Sequence, residues 1–172
     1  MFTIEAINEE HARDILTWRY PIPYDFYDPP QDGRNTFYVE QFLRPEFAFH
    51  SILDSKDDFI GFCSYGRDGQ VAGGDYSLQA LDIGLGMKPN YTGHGNGAEF
   101  FETIERFAIQ TFEPTSVRLT VAKFNRRAMH LYRSFGYDDL SYFIDAKNDI
   151  DYVILIKHLT PNPHPQDLVP RT

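Results

Sequence analysis

The chain has a single cysteine, Cys63, among 172 residues. One thiol closes no disulfide within the chain and builds no cysteine zinc site. Positive charge is also scarce: 16 Lys and Arg stand against 25 Asp and Glu, a formal net charge of −9. Nucleic-acid binders present a basic face, so this balance excludes that class. It favours encounter with cationic partners such as amines, and it serves plain solubility equally well. No apolar run approaches the roughly 20 residues that span a bilayer. Met1-Phe2-Thr3-Ile4-Glu5 lacks the basic-then-apolar pattern of a secretion signal, so a cytoplasmic protein without membrane contact is expected. No set of His, Asp or Glu has metal-ligand spacing, and no metal is expected. The P-loop ending Gly-Lys-Ser/Thr is absent.

Aromatic residues are plentiful instead, with 15 Phe and 11 Tyr. The length suits one domain with a full core. Phe2 to Ile7 alternates apolar and polar as a half-buried strand does. Asn8 offers a helix cap with Glu9 and Glu10 behind it, predicting a helix to Trp18. Proline and aromatic residues crowd 20–30 and forbid helix there. A second helix is expected over 35–43, strands over 47–53 and 59–67, and a strand over 78–88. A long helix follows over 93–112, with Phe101, Ile104, Phe107 and Ala108 on its buried side. Then come a strand over 116–122, a helix over 125–135 closed by Gly136, and strands over 140–146 and 152–159. The order β-α-α-β-β-β-α-β-α-β-β describes an α/β fold around a mixed sheet, with residues 1–159 as one domain. Residues 160–172 hold four prolines and no periodicity, and an extended or disordered tail is expected.

Two segments carry the chemistry. Leu81-Asp82-Ile83-Gly84-Leu85-Gly86-Met87 leads through Pro89 into Thr92-Gly93-His94-Gly95-Asn96-Gly97-Ala98: a strand, a glycine turn and a helix start. Backbone N–H groups converging at a helix N-terminus suit a pyrophosphate. The same glycines also suit simple strand termination and helix packing. The run matches the dinucleotide pattern G-x-G-x-x-G/A, but no acidic residue follows the next strand to hold a ribose. That reading, a dinucleotide-dependent oxidoreductase, is set aside. In the second segment, Asn125-Arg126-Arg127-Ala128-Met129-His130-Leu131-Tyr132 places an amide and a phenol two helical turns apart on one face.

Together these segments resemble the GNAT superfamily of acetyl-CoA-dependent N-acetyltransferases. Gly95 and Gly97 match both glycines of its cofactor loop, while Thr92 stands where the family usually has Arg or Gln. Asn125, Ala128, Leu131, Tyr132, Gly136 and Tyr137 match every named position of its second helix motif. The resemblance covers Leu81 to Tyr137 and implies the GNAT fold, a mostly antiparallel sheet flanked by helices. It implies that amides of Thr92, Gly93, His94, Gly95, Asn96, Gly97 and Ala98 hold the pyrophosphate of coenzyme A. A bulge allowed by Gly84 and Gly86 would admit the pantetheine arm, and an amide at Leu85 or Met87 would polarise the acetyl carbonyl. Asn125 would contact the cofactor, act as a helix cap, or both. Tyr132 would protonate the departing thiolate; its alternative is a core ring.

The base is open. Thr120 occupies the strand position where some relatives carry glutamate, leaving Asp82 as the candidate, then Asp75 and Glu40, or a water relay. Asp82 as a structural carboxylate is the competing reading. His94 and His130 are read as non-catalytic. By the same resemblance, the first two helices and their connection form the acceptor wall, with Trp18, Tyr20, Tyr24, Phe26 and Tyr27, and Asp25 and Asp28 among them, facing a cationic amine of a small molecule, peptide N-terminus or lysine. The bland reading is that these rings pack the first helix onto the sheet. The expected activity is acetyl transfer from acetyl-CoA to a primary amine in a ternary complex; the alternative is a non-catalytic acyl-CoA-binding module. Dimerisation through the C-terminal strands is an expectation that no residue singles out.

Overall fold

Short alternating segments become strands and the long apolar-striped segment becomes a helix, in the expected order. The computed structural model describes residues 1–159; the expectation for 160–172 lies outside the described residues. The elements are β1 (Thr3–Ala6), α1 (Glu9–Ile15), α2 (Asn35–Phe42), β2 (His50–Leu53), β3 (Phe59–Tyr65) and β4 (Leu81–Met87). They continue as α3 (Gly97–Phe112), β5 (Ser116–Ala122), α4 (Arg126–Ser134), β6 (Asp138–Asp145) and β7 (Ile150–His158). The strands form one sheet in the order β1-β2-β3-β4-β5-β7-β6. Every neighbouring pair is antiparallel except β4 and β5. Among the described residues no helix is long and apolar enough to cross a membrane.

Capping and backbone conformation set the boundaries. The Asn8 side chain accepts from the His11 N–H at 2.8 Å, satisfying a donor that the first turn of α1 leaves free. That helix ends at Ile15, short of the expected Trp18, because the Thr17 and Trp18 amides turn back to the carbonyls of Asp14 and Ile15. Phe47 belongs to a 3-10 turn, and Ala48 has φ 45°, so β2 starts at His50 rather than 47. The long helix begins at Gly97, which leaves Gly93 to Asn96 as loop.

The sheet separates two cores. On one face, Phe100, Phe101, Ile104 and Ala108 of α3 pack with Cys63, Val117, Leu119, Val153 and Tyr132. Their spacing is that of one helical face. Residues of β3 alternate between faces: Tyr65 donates to the Ile104 carbonyl of α3 at 3.0 Å, whereas Phe62 meets Trp18, just after α1, at 5.8 Å between ring centres. Ala12, Leu16 and Val39 join α1 to α2 in a second cluster on that other face.

The feature that positions the site is a fork at mid-sheet. β4 and β5 pair only at Leu81↔Val117 and Asp82↔Arg118. Beyond Asp82, β4 stays with β3 as far as Met87, and β5 stays with β7 as far as Ala122. The two central strands therefore diverge from Ile83 onward.

Candidate active site

The register of β4 decides which of its backbone groups face the fork. The Gly66 amide donates to the Asp82 carbonyl and the Lys88 amide to the Ile60 carbonyl, each at 2.8 Å. In an antiparallel ladder hydrogen-bonded pairs alternate, so Gly84 and Gly86 turn their peptide groups to β3. Ile83, Leu85 and Met87 turn theirs toward β5, which has moved away. The Met87 carbonyl on that open side accepts from the Tyr20 hydroxyl at 2.8 Å. The Leu85 and Met87 amides are thus presented to the cleft. Pairs run in unbroken register from Tyr65↔Ile83 to Gly61↔Met87, so the bulge expected in β4 is absent and the opening comes from β5 turning away. Gly84 and Gly86 serve neighbouring side chains instead. A Cβ at 86 would sit 2.5 Å from the Phe62 ring, and one at 84 would collide with Ser64 Oγ.

At the end of β4 the glycine loop supplies donors. Gly93 and Gly95 adopt φ 81° and 83°, a left-handed conformation that glycine reaches at little cost. Among the described residues the backbone N–H groups of Gly93 through Glu99 meet no acceptor within the protein. Seven consecutive free donors, the last of them opening a 16-residue helix, make an anion cradle backed by the helix dipole. Gly97 packs on Leu131 of α4. Arg127 lies beside Gly93 and adds positive charge to the rim. Thr92 is committed to the turn, with its hydroxyl donating to the Pro89 carbonyl at 2.8 Å. His94 and His130 are exposed.

Asn125 caps α4: its Oδ1 accepts from the Ala128 amide at 3.1 Å. Its Nδ2 donates to Tyr27 Oη at 3.3 Å. Tyr132 is buried against Phe101, with ring centres 4.7 Å apart. Burial, with the nearby Tyr27 phenol, holds the Tyr132 phenol well above the ordinary tyrosine value, so it remains protonated at neutral pH.

The aromatic segment is split by the structure. Tyr24, Phe26 and Tyr27 sit on a 3-10 turn and pack on Phe124, the residue before Asn125. Phe26 is 37% exposed and Tyr27 40%, and the Arg127 guanidinium lies over the Tyr24 ring at 4.9 Å. These three rings join the segment after α1 to the start of α4. Trp18 does not join them. It is 3% exposed, its Nε1 donates to Asp14, and its ring lies on Phe59 and Phe62. It packs the end of α1 onto the sheet and is no open binding surface.

Asp82 sits in the arrangement of its competing, structural reading. Its carboxylate receives Arg118 Nε at 2.6 Å and Nη2 at 2.8 Å, and Gln70 Nε2 at 2.8 Å. Both partners of the ion pair are almost completely buried. A carboxylate holding three donors around a buried guanidinium is tied into the sheet and locks the closed end of the fork. Arg118 carried a visible signal, a lone charge inside the apolar strand Val117-Arg118-Leu119. Thr120 is likewise occupied, sharing a 2.9 Å hydrogen bond with Tyr76 Oη. Sequence reasoning gave Phe124 and Tyr76 no role at this site, because only tertiary contact brings them to it. Among the described residues no group of three His, Cys, Asp or Glu side chains is arranged to hold a metal ion.

The geometry was compared with known proteins. A search of curated proteins finds no match. Among solved structures, a spermidine/spermine N-acetyltransferase of Vibrio cholerae superposes with TM-score 0.65 at 15% identity, covering 92% of this chain and 95% of that one. A dodecameric structure of the spermidine N-acetyltransferase of Vibrio cholerae gives TM-score 0.65, 15% identity, and coverage of 91% and 93%. A putative acetyltransferase of Acinetobacter baylyi ADP1 gives 0.68 at 17% identity over 97% and 98%. At such identities the likeness shows the fold. The model of the acetyltransferase (GNAT) family matches residues 10–137, which span the fork, the glycine loop and α4. The chain belongs to the GNAT family of acetyltransferases.

Proposed function

We propose that this acyltransferase moves an acetyl group from acetyl-CoA to a primary amine within a ternary complex. One observation carries the reading: the unpaired amides of Gly93 through Glu99 lie at the mouth of a fork into which Leu85 and Met87 turn their N–H groups. Residues of this kind fit coenzyme A, since the first set answers a pyrophosphate and the second the amides and carbonyl of an extended acyl arm. When bound, acetyl-CoA supplies an activated thioester.

The chain's own groups do the rest. Gly93 to Ala98 and Arg127 hold the phosphates. The Leu85 or Met87 amide polarises the carbonyl, where fixed donors act best because they need no reorganisation. Tyr132, kept protonated by burial, donates to the leaving sulfur. Tyr24, Phe26 and Tyr27 close the cleft from the acceptor side and offer π faces to a cation. The net charge of −9 attracts such a cation from solution. The amine acceptors of the structural relatives, spermidine and spermine, belong first on the acceptor panel.

The test is thiol release from acetyl-CoA against spermidine, spermine, aminoglycosides, amino acids and short peptides. Amine-dependent release supports the proposal and names the acceptor class. Coenzyme A binding with no release from any amine would favour the non-catalytic acyl-CoA-binding module instead.

A further inference from the structure

With Asp82 committed to Arg118, the site needs another proton acceptor, and the connection between β3 and β4 supplies one. Residues 67–69 form a 3-10 turn that folds back over β4. A Cβ built on Gly69 would lie 3.0 Å from the carbonyl carbon of Ile83, and one on Gly84 would lie 3.4 Å from Asp68 Oδ2. The Asp68 carboxyl thus hangs over Gly84, two residues past the last β4–β5 pair. It lies about one strand residue, roughly 3.3 Å along β4, from Leu85. That face also carries Phe62 with Trp18 packed on it, so Asp68 lies on the α1 side of the sheet, the side proposed to receive the acceptor. Glycine at 84 leaves room for Ser64 Oγ and the Asp68 carboxyl to meet above the strand.

Its partners set Asp68 apart from its neighbours. Asp14 pairs with Lys88 at 2.8 Å, Asp28 accepts the Tyr20 amide, and Asp82 holds Arg118. Asp68 makes no ion pair among the described residues, and its one side-chain partner is the Ser64 hydroxyl, which donates at 2.7 Å. The residue is solvent-accessible, so an amine can reach it. Crowding of the carboxyl by the strands raises its proton affinity, and the Ser64 hydrogen bond partly opposes this. Crowding outweighs the hydrogen bond, so the carboxylate accepts a proton more readily than a free one does.

We propose that Asp68 is the general base of the transfer, taking a proton from the acceptor ammonium as it approaches the thioester beside Leu85. This rests on the acetyl-transfer reading above. Two protons leave the nitrogen in all. Asp68 takes the first, which frees the lone pair to form the C–N bond. The C–S bond then breaks, its electron pair going to sulfur, and Tyr132 protonates the thiolate. The second nitrogen proton restores the phenol through solvent, and Asp68 returns its proton to water. An ammonium, an acetyl thioester and no other reactant become an amide, a thiol and one proton.

The test uses acetyl-CoA with spermidine as probe, or with whichever amine of the panel the wild type acetylates. Asp68→Asn is expected to lower kcat by about 10²- to 10⁴-fold, with KM for acetyl-CoA within about twofold and the acid limb of the kcat–pH profile flattened. Asp68→Glu recovers part of the rate. Ser64→Ala removes a hydrogen bond that favours the charged carboxyl, so it should move the acid limb to higher pH. Ser64 faces the carboxyl from β3, and the charged groups of β4 and β5 nearby, Asp82 and Arg118, neutralise each other. A kcat within about threefold of wild type in Asp68→Asn overturns the proposal, as does a loss confined to the KM of the amine or an acid limb unmoved by Ser64→Ala. Absence of wild-type turnover with every amine would instead overturn the acetyl-transfer reading beneath it.

Discussion

Replacing Asp82 by Asn separates a structural carboxylate from a catalytic one. The change keeps the side chain's shape but removes the charge opposite Arg118, whose guanidinium is 2% exposed and makes two of its three side-chain hydrogen bonds to Asp82. The third goes to the Leu78 carbonyl and offers no counter-charge. Breaking a buried ion pair by removing one partner costs about 3 to 5 kcal/mol. For a chain of this length, 1 kcal/mol moves the melting temperature by about 2 to 4 °C, so the expected fall is about 6 to 20 °C. Thermal denaturation followed by circular dichroism reads it directly. Below the transition, turnover should stay within about threefold of wild type with its acid limb in place. Replacing both partners, Asp82→Leu with Arg118→Met, should regain much of the loss, because no uncompensated charge then remains. A variant that melts with the wild type while kcat falls a hundredfold would refute the assignment and return Asp82 to the chemistry.

Other consequences follow from the same geometry. Tyr132→Phe removes the proton donor while keeping the ring packed on Phe101, so kcat should fall about 10²-fold or more with coenzyme A affinity within about twofold by calorimetry. Tyr27→Phe frees the Asn125 amide from its 3.3 Å hydrogen bond. If Asn125 faces the cofactor, coenzyme A should bind about 2- to 12-fold more tightly, the value of one net hydrogen bond, and Asn125→Ala should abolish the gain. Burial pushes the Cys63 thiol up to about 12. Ellman's reagent at pH 8 should therefore leave the native protein untouched and react on unfolding in guanidinium. The sign follows from the raised value. Stability contributed by the buried neutral thiol is present below the ordinary thiol value of 9.0 and is lost as pH rises through and beyond it.

Local chemistry made part of this molecule legible. Gly93 and Gly95 announce a turn that needs positive φ, and Asn125 announces a cap. The spacing from Asn125 to Tyr132 places both on one turn-aligned face whatever the rest of the chain does. Long-range pairing hid the remainder. Asp82 reads as a free carboxylate until the parallel register sets it opposite Arg118, 36 positions later. Gly84 and Gly86 read as bulge formers until β3 is laid beside them and Ser64 and Phe62 fill the space above. Asp68 lies in a connection with no periodicity, and nothing local says that its turn folds back over β4. Trp18 reads as wall or core alike, since a ring at a helix end serves either, and only Phe59 and Phe62 decide for core.

The account stands on the fork and its cradle as the place where coenzyme A binds. A titration of the ¹⁵N-labelled protein with coenzyme A tests this directly. Amide signals of Gly93 through Glu99, Leu85 and Met87 should shift together along one binding curve, while those of β1 and α2 stay still. Saturable binding that leaves these amides unmoved and shifts another surface would contradict the account.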